Sequence, residues 1–245
     1  MPLSFWAQTS GTWINFATVL FGTGLGLLLN RRLAATYLQT ISQGIGLLTL
    51  WLGITLASTL NQVSVREIPG GLLGLLALVV GGALGEALRI EDRLAEIGSW
   101  LKRKFQGQGR FTEGFVAASL LFCVGPMALI GSLENGISGD NTLLVLKSTM
   151  DGIAALVLTS SYGVGVGFSA LSLLIYQGSL SWAAGLWSES LPDPATDPRV
   201  MIMTGVGGLM IIGIGINLLK LTEIRVASFL PALALAPLLL WGLSL

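Results

Sequence analysis

The chain has 245 residues, of which 53% are hydrophobic and only 11% charged, and 13 basic residues balance 13 acidic ones. Mean hydropathy is +0.79. So few charges cannot cover a soluble domain of this size, and a disordered chain would be polar and carry net charge. What remains is a polytopic membrane protein, all-α, a single membrane-embedded bundle of spanning helices.

Taken in chain order at the ~20 residues a spanning helix needs, the apolar stretches predict eight spans. They are Gly11–Leu29, Ile41–Leu60, Gly70–Leu88, Gly114–Leu133, Thr142–Ser161, Gly163–Leu180, Val200–Leu219 and Val226–Leu245. Seven is the alternative count. Only Ser160-Ser161-Tyr162-Gly163 divides the fifth from the sixth, with Gly165 and Gly167 following. Two spans joined by a tight turn and one broken or re-entrant helix are both open there. After the third span, Ile90, Leu94, Ile97, Leu101 and Phe105 recur at helical spacing, opposite Glu91, Asp92, Arg93, Glu96 and Lys102-Arg103-Lys104. That pattern predicts an amphipathic helix lying in the membrane interface, its basic end toward anionic lipid headgroups.

The absence of histidine and the single cysteine, Cys123, remove the ligands that zinc, haem and iron–sulfur sites lean on. They also remove any intrachain disulfide and any His-based nucleophile. No cofactor or metal is expected. With zero net charge there is no global field to attract nucleic acid, so none is expected as a partner. Met1–Ser10 lacks a basic segment and does not read as a cleavable signal. The membrane lipids are the expected surroundings, and pairs such as Gly22/Gly26, Gly81/Gly85 and Ala83/Ala87 suit helix crossings within or between subunits, which leaves a homo-oligomer open.

Basic residues set the orientation. Arg31, Arg32, Arg89, Arg93, Lys102, Arg103, Lys104, Arg110, Lys220 and Arg225 fall on one side of an eight-span chain, against Arg66, Lys147 and Arg199 on the other. The richer side is expected in the cytoplasm, with both termini outside. The first two hairpins, 11–60 and 70–133, resemble each other. Gly22-x-x-Leu25-Gly26-x-x-Leu29 matches Gly81-x-x-Leu84-Gly85-x-x-Leu88, each followed by basic residues. Parallel duplication and chance convergence of glycine spacing are both open.

Several stretches together resemble one family. They are Gly11-Thr12-Trp13-Ile14-Asn15, Gly81-Gly82-Ala83-Leu84-Gly85-Glu86, Ile90-Glu91-Asp92-Arg93-Leu94 and Glu113-Gly114-Phe115 through Ala118-Ser119-Leu120-Leu121-Phe122-Cys123-Val124-Gly125. Ser138-Gly139-Asp140, Lys147-Ser148, Asp151-Gly152 and Tyr176-Gln177-Gly178 continue the pattern. The chain is similar over nearly its whole length to domain of unknown function 554, a family of bacterial inner-membrane proteins, and departs from it at Pro126. The resemblance implies a multi-pass protein of the bacterial inner membrane and carries no established substrate.

Ionisable side chains inside spans are costly and mark functional sites. Asp151 lies ten residues beyond Asn141, ~15 Å along a helix and near the middle of a ~30 Å hydrocarbon core. Lys147 sits one turn earlier on the same face, so the two can pair. Either the pair locks the helix to a neighbour or Asp151 binds a cation or proton that Lys147 tunes. Glu86, at the end of the third span, is expected to pair with Arg89 or Arg93, or to take part in binding. Asn15, Asn135, Gln177 and Asn217 can bridge helices or touch a ligand. Ser160 and Ser161, beside three alternating glycines, could expose carbonyl and hydroxyl oxygens to an ion. Asp140 or Asn141 reads as the cap of the fifth helix, and Cys123 as a small buried apolar residue. The set Asp151, Lys147, Asn15, Glu86, Asn135, Ser160, Ser161 and Gln177 predicts a secondary transporter or channel for a small solute or ion. The alternatives are a structural or assembly protein without a ligand, and an enzyme acting on lipid-linked substrates.

Overall fold

The computed structural model describes residues 3–30, 35–123, 126–184 and 197–244. The fold is all-α, with ten α-helices among these residues. They are α1 (Phe5–Asn30), α2 (Ala35–Ala57), α3 (Gly70–Ala87), α4 (Ile90–Lys104), α5 (Phe111–Cys123), α6 (Pro126–Ser138), α7 (Thr142–Tyr162), α8 (Gly165–Ala184), α9 (Pro198–Leu218) and α10 (Leu230–Ser244). Short 3-10 turns cover Ser58–Gln62 and Val226–Phe229. A two-residue hairpin, β1 (Ser64–Val65) with β2 (Ile68–Pro69), sits between α2 and α3. Its turn residues Arg66 and Glu67 both take positive φ, as the tightest hairpin turns require.

Among the described residues, five segments are long and apolar enough to cross a membrane: Phe5–Leu29, Gly70–Ala87, Thr142–Tyr162, Pro198–Leu218 and Val226–Leu243. A sixth arises if α5 and α6, bent by 58°, are one broken span. The uninterrupted helix expected over Gly114–Leu133 is therefore two helices of 13 residues each. Proline lacks the N–H that a helix interior needs and is tolerated in a first turn, and α6 starts on Pro126. Val124 and Gly125 lie outside the described residues, as do Arg31, Arg32, Glu189 and Asp193 of the charged loops and Leu245 of the last expected span. The fifth and sixth expected spans are separate helices. Gly163, at φ +83°, turns the chain after Tyr162 and α8 begins two residues later.

The chain divides into two compact units. The first comprises Met1–Ile45, Ala95–Cys123 and Met127–Pro194. Its register can be followed through glycines whose missing Cβ lets a neighbour in. A Cβ on Gly11 would lie 2.6 Å from Leu144, and one on Gly26 2.8 Å from Thr159, so α1 and α7 run parallel. A Cβ on Gly167 would lie 2.8 Å from Thr23, and one on Gly178 3.9 Å from Thr12, so α8 runs antiparallel to α1. Gly165 backs onto Phe111, Ser119 bonds Ser172 at 3.0 Å, and Gly136 backs onto Ser181. The bent α5–α6 pair thus follows α8 from start to finish.

The second unit comprises Gly46–Leu94, Val124–Pro126 and Ala195–Leu245. In it α2 runs antiparallel to α9, since Gly46 meets Leu219 and Gly53 meets Ile212. α3 runs antiparallel to α10: a Cβ on Gly81 would lie 2.5 Å from Ala232 N, and Gly82 meets Phe229. Its core is apolar: Leu60, Val63, Leu73, Ala77, Ile202, Val206, Ala232, Ala236 and Leu240. Polar groups gather at one end. Arg225 bridges Glu86 (3.0 Å) and Asp92 (2.7 Å), and Glu91 accepts the N–H of Ala227 at 2.7 Å. Burial raises the Glu91 carboxyl above its ordinary range, outweighing that hydrogen bond and the pull of Arg225. Asn217 takes and gives a 2.8 Å bond with the backbone of Ile224. It closes the loop after α9 and does not bridge two spanning helices.

The amphipathic segment is the helix α4. Its expected stripe divides: Leu101 is buried, and Gly98 lies against Thr112 and Phe115, while Ile97, Trp100 and Phe105 are exposed.

Candidate functional site

The site grows from the buried face of α1 in the first unit. Thr9, Thr12, Asn15, Val19 and Thr23 recur at spacings of three and four, each with no more than 5% of its surface exposed. Three or four residues make one helical turn, so the five lie on a single stripe. The neighbouring α7 comes close because small residues line the crossing. Gly22 lies directly against the carbonyl of Gly152, and a Cβ on Gly152 would lie 2.5 Å from Thr18. Any larger side chain at Gly22 would force the helices apart.

That close approach brings four side chains together. Lys147 and Asp151, one turn apart on α7, form a salt bridge through Asp151 Oδ2. Asn15 Nδ2 of α1 donates to the same oxygen at 2.8 Å and to Gln177 Oε1 of α8 at 3.1 Å. All four are buried. A buried ion pair gains little net stability, because desolvation offsets the Coulomb attraction, whereas removing one partner strands the other charge. Two atoms of this cluster have no hydrogen-bond partner among the described residues: Asn15 Oδ1, an acceptor, and Gln177 Nε2, a donor. Buried polar atoms are normally satisfied, and an exception points to bound water, an ion or a ligand group.

Of the eight residues singled out from the sequence, Asn15, Lys147, Asp151 and Gln177 converge here. Asn135 is a clamp: it accepts from Gly11 N at 3.0 Å and donates to Ala7 O and Ser10 Oγ, tying α6 to the first turns of α1. Ser160 bonds back to Val157 O on its own helix. Ser161 lies at the far end of α7, and its hydroxyl is buried without a partner. Glu86 belongs to the second unit, and its partners are Arg225 and Ser228, not Arg89 or Arg93. Arg89 pairs instead with Asp92 at 3.1 Å. Asn141 is the N-cap of α7 without a side-chain cap bond and donates its amide to Ser10, while Asp140, one residue earlier, accepts from Thr142 N at 2.9 Å through its Oδ1. Cys123 is partly buried.

Sequence reasoning missed five further groups. Among the described residues, the buried hydroxyls of Thr12, Thr23, Thr159 and Ser181 here, and of Thr204 in the second unit, have no hydrogen-bond partner. The signal was there in part: Thr12 precedes Asn15 by three residues, and Ser181 follows Gln177 by four. It also missed a cavity of about 650 Å³ walled by Leu27, Phe105–Arg110 and Ser161–Val164. Arg110 stands in that wall. It pairs with Glu113 and lies 4.5 Å from the Tyr162 ring. The bond to Glu113 raises the guanidinium pKa further. A smaller apolar groove of about 300 Å³ lies at the other end of the same helices, between Phe5, Thr9, Thr12 and Trp13 on α1 and Leu174, Ile175, Gly178 and Trp182 on α8. Among the described residues, no group of three or more His, Cys, Asp or Glu side chains is placed to hold a metal.

Two known proteins are similar to the chain across almost all of its length. One is the uncharacterized membrane protein YdfK of Bacillus subtilis (strain 168), 27% identical over 234 residues that cover 94% of this chain and 95% of the relative. The other is the uncharacterized protein YqgA of Escherichia coli (strain K12), 30% identical over 230 residues, 92% and 94% of the two chains. No solved structure matches. The family model for the protein of unknown function DUF554 matches residues 10–241, and the chain is a membrane protein of that family.

Proposed function

We propose that the chain moves a small solute or ion across the bacterial inner membrane, with Asn15, Lys147, Asp151 and Gln177 as the binding site. The observation that carries this reading is the buried Lys147–Asp151 pair, set beside an amide oxygen and an amide nitrogen that no protein group satisfies. It sits near the middle of a 21-residue helix, the place where binding sites of secondary transporters lie.

Eight spans are the count this reading adopts. α2 with 23 residues and α8 with 20 reach spanning length, and the bent α5–α6 pair counts as one. The helix directions within each unit fit such an alternation: α1 with α7 parallel, α1 with α8, α2 with α9 and α3 with α10 antiparallel. The basic loops face the cytoplasm on this reading. α4 rests in the interface with Ile97 and Trp100 toward lipid, and Lys104 lies over the Trp100 ring at 4.8 Å.

The test is flux into sealed vesicles holding purified protein, over a panel of ions and small metabolites. Asp151→Asn is expected to reduce the flux at least tenfold. Wild-type flux equal to that of empty vesicles across the panel overturns the reading. It leaves the pair as a structural lock, a role favoured by the salt bridge closing on itself.

A further inference from the structure

Eight buried side-chain atoms lack a hydrogen-bond partner among the described residues, and seven of them lie on α1, α7 and α8. The register sorts the seven into two groups. Thr12, Asn15, Gln177 and Ser181 lie at the end where α1 begins and α8 finishes, around the Lys147–Asp151 pair. Thr23, Thr159 and Ser161 lie toward the opposite end. There Gly26 and Gly167 bring Thr159 and Thr23 into the same crossing, and Ser161 and Leu27 open onto the 650 Å³ cavity. Six of the seven, all but Ser161, belong to residues at most 5% exposed.

Between the two groups the same stripes turn apolar. Val19 on α1, Ala155 on α7 and Ala170 and Leu173 on α8 are all fully buried. Val19 is one turn from Asn15 on one side and one turn from Thr23 on the other. Leu173 is one turn from Gln177. Polar groups suited to single water molecules therefore flank a short dry layer. An apolar constriction of this kind closes a pathway by excluding water.

We infer that the α1–α7–α8 seam is a water-lined proton route, with the Val19–Leu173 layer as its gate and the Gln106–Arg110 cavity as one mouth. The inference rests on the proposed transport reading and names the permeant. The chemistry favours a proton over a metal cation. A metal cation needs several oxygen ligands, and Asp151 is a lone carboxylate whose Oδ2 is already taken by Lys147 and Asn15, whereas a proton needs only one carboxylate oxygen and single waters to pass between. The groups facing Asp151 are Lys147 on its own helix, Asn15 on α1, Gln177 on α8 and, within electrostatic range, the Cys123 thiol on α5. A hydronium ion reaching Asp151 transfers its proton to the carboxylate, giving a neutral carboxyl and a water. Lys147 keeps its charge. The carboxyl then gives the proton to a water on the other side and returns to its pair.

The test uses the full-length protein in vesicles that enclose a pH-sensitive dye, driven by a potassium diffusion potential with no solute added. Wild type is expected to pass protons above the level of empty vesicles, and Val19→Ser, which wets the gate, to raise the rate at least tenfold. Asp151→Asn in the Val19→Ser background should return the rate to the empty-vesicle level. So should Thr23→Val with Thr159→Val, which removes two water ligands while keeping shape. A folded Val19→Ser protein with an unchanged rate overturns the inference, and so does a raised rate that Asp151→Asn leaves intact. If Val19→Ser does not fold, Leu173→Thr carries the same expectation and the same refutation. Asp151-dependent solute flux beside a proton-silent Val19→Ser rejects the proton route alone. Absence of both fluxes rejects the transport reading as well.

Discussion

The two units of this chain differ in what they bury. Among the described residues 18 polar or charged side chains are buried; 15 lie in the first unit, and the second holds Thr49, Thr204 and Ser228. The second unit centres on Leu73, Ile202, Val206, Ala236 and Leu240 and keeps its charges at the helix ends: Glu86, Asp92 and Arg225 join at one, and Arg66, Glu67, Asp197 and Arg199 lie at the starts of α3 and α9. Helices in lipid gain nothing from burying apolar surface that lipid would cover equally well, so close packing is the main stabilisation of such a scaffold. The first unit gives up part of that packing to an ion pair and a run of unsatisfied hydroxyls and amides, each a net cost in a low-dielectric interior. Stability alone explains the second unit and does not explain the first.

The largest effect should come from splitting the pair. Lys147→Ala leaves Asp151 buried and unpaired, and a loss of about 3–5 kcal/mol is expected, read as unfolding in detergent. Lys147→Met combined with Asp151→Leu should recover most of that loss and still abolish flux. A double variant as unstable as the single one would make the pair structural. Next comes Leu73→Ala in the second unit. Because lipid replaces water as the reference, only packing is lost, and about 2 kcal/mol is expected, with Asp151-dependent flux retained in the folded fraction. Loss of flux at full occupancy of the folded state would erase the distinction between the units.

Smaller effects sharpen it. Thr23→Val removes a hydroxyl that has no protein partner, so stability should change by no more than about 1 kcal/mol, while proton flux falls. Arg225→Ala opens its ion pairs with Glu86 and Asp92, which are partly exposed to exposed, so a loss of about 1 kcal/mol or less is expected. The smallest effect is in pH. The hydroxyl and N–H of Thr142 hold the Asp140 carboxyl below its ordinary value of 3.8. That contribution is present above 3.8 and is lost as pH falls through the lowered value. Glu91 has its carboxyl raised above 4.5. Its contribution is therefore lost as pH rises from 4.5 through the raised value, and Glu91→Gln should flatten that slope. Unfolding midpoints across pH 3–8 for Asp140→Asn and Glu91→Gln should change slope in opposite senses.

Composition and periodicity alone made the membrane class, the all-α fold and a helix over residues 90–104 legible, because a bilayer forces the backbone to satisfy itself within helices. The Lys147–Asp151 contact was equally legible, since four residues on one helix make a turn whatever surrounds it. The break before α6 was less so. Pro126 marks it, yet the apolar run continues past the proline and reads as one span. Glu86 was assigned to local arginines because Arg225 is distant in sequence, and Asn217 was read as interhelical glue although its partner is seven residues away in a loop.

Sequence determined which polar groups enter the hydrocarbon region, and the tertiary structure decided which of them meet. Asn15, Asp151 and Gln177 are separated by 136 and 162 residues along the chain. Nothing local couples them. They converge because Gly22, Gly26 and Gly152 let α1 and α7 touch backbone to backbone while α8 closes the third side. The hydroxyls of Thr12, Thr23, Thr159, Ser161 and Ser181 are thereby sealed into the same three-helix seam as the ion pair.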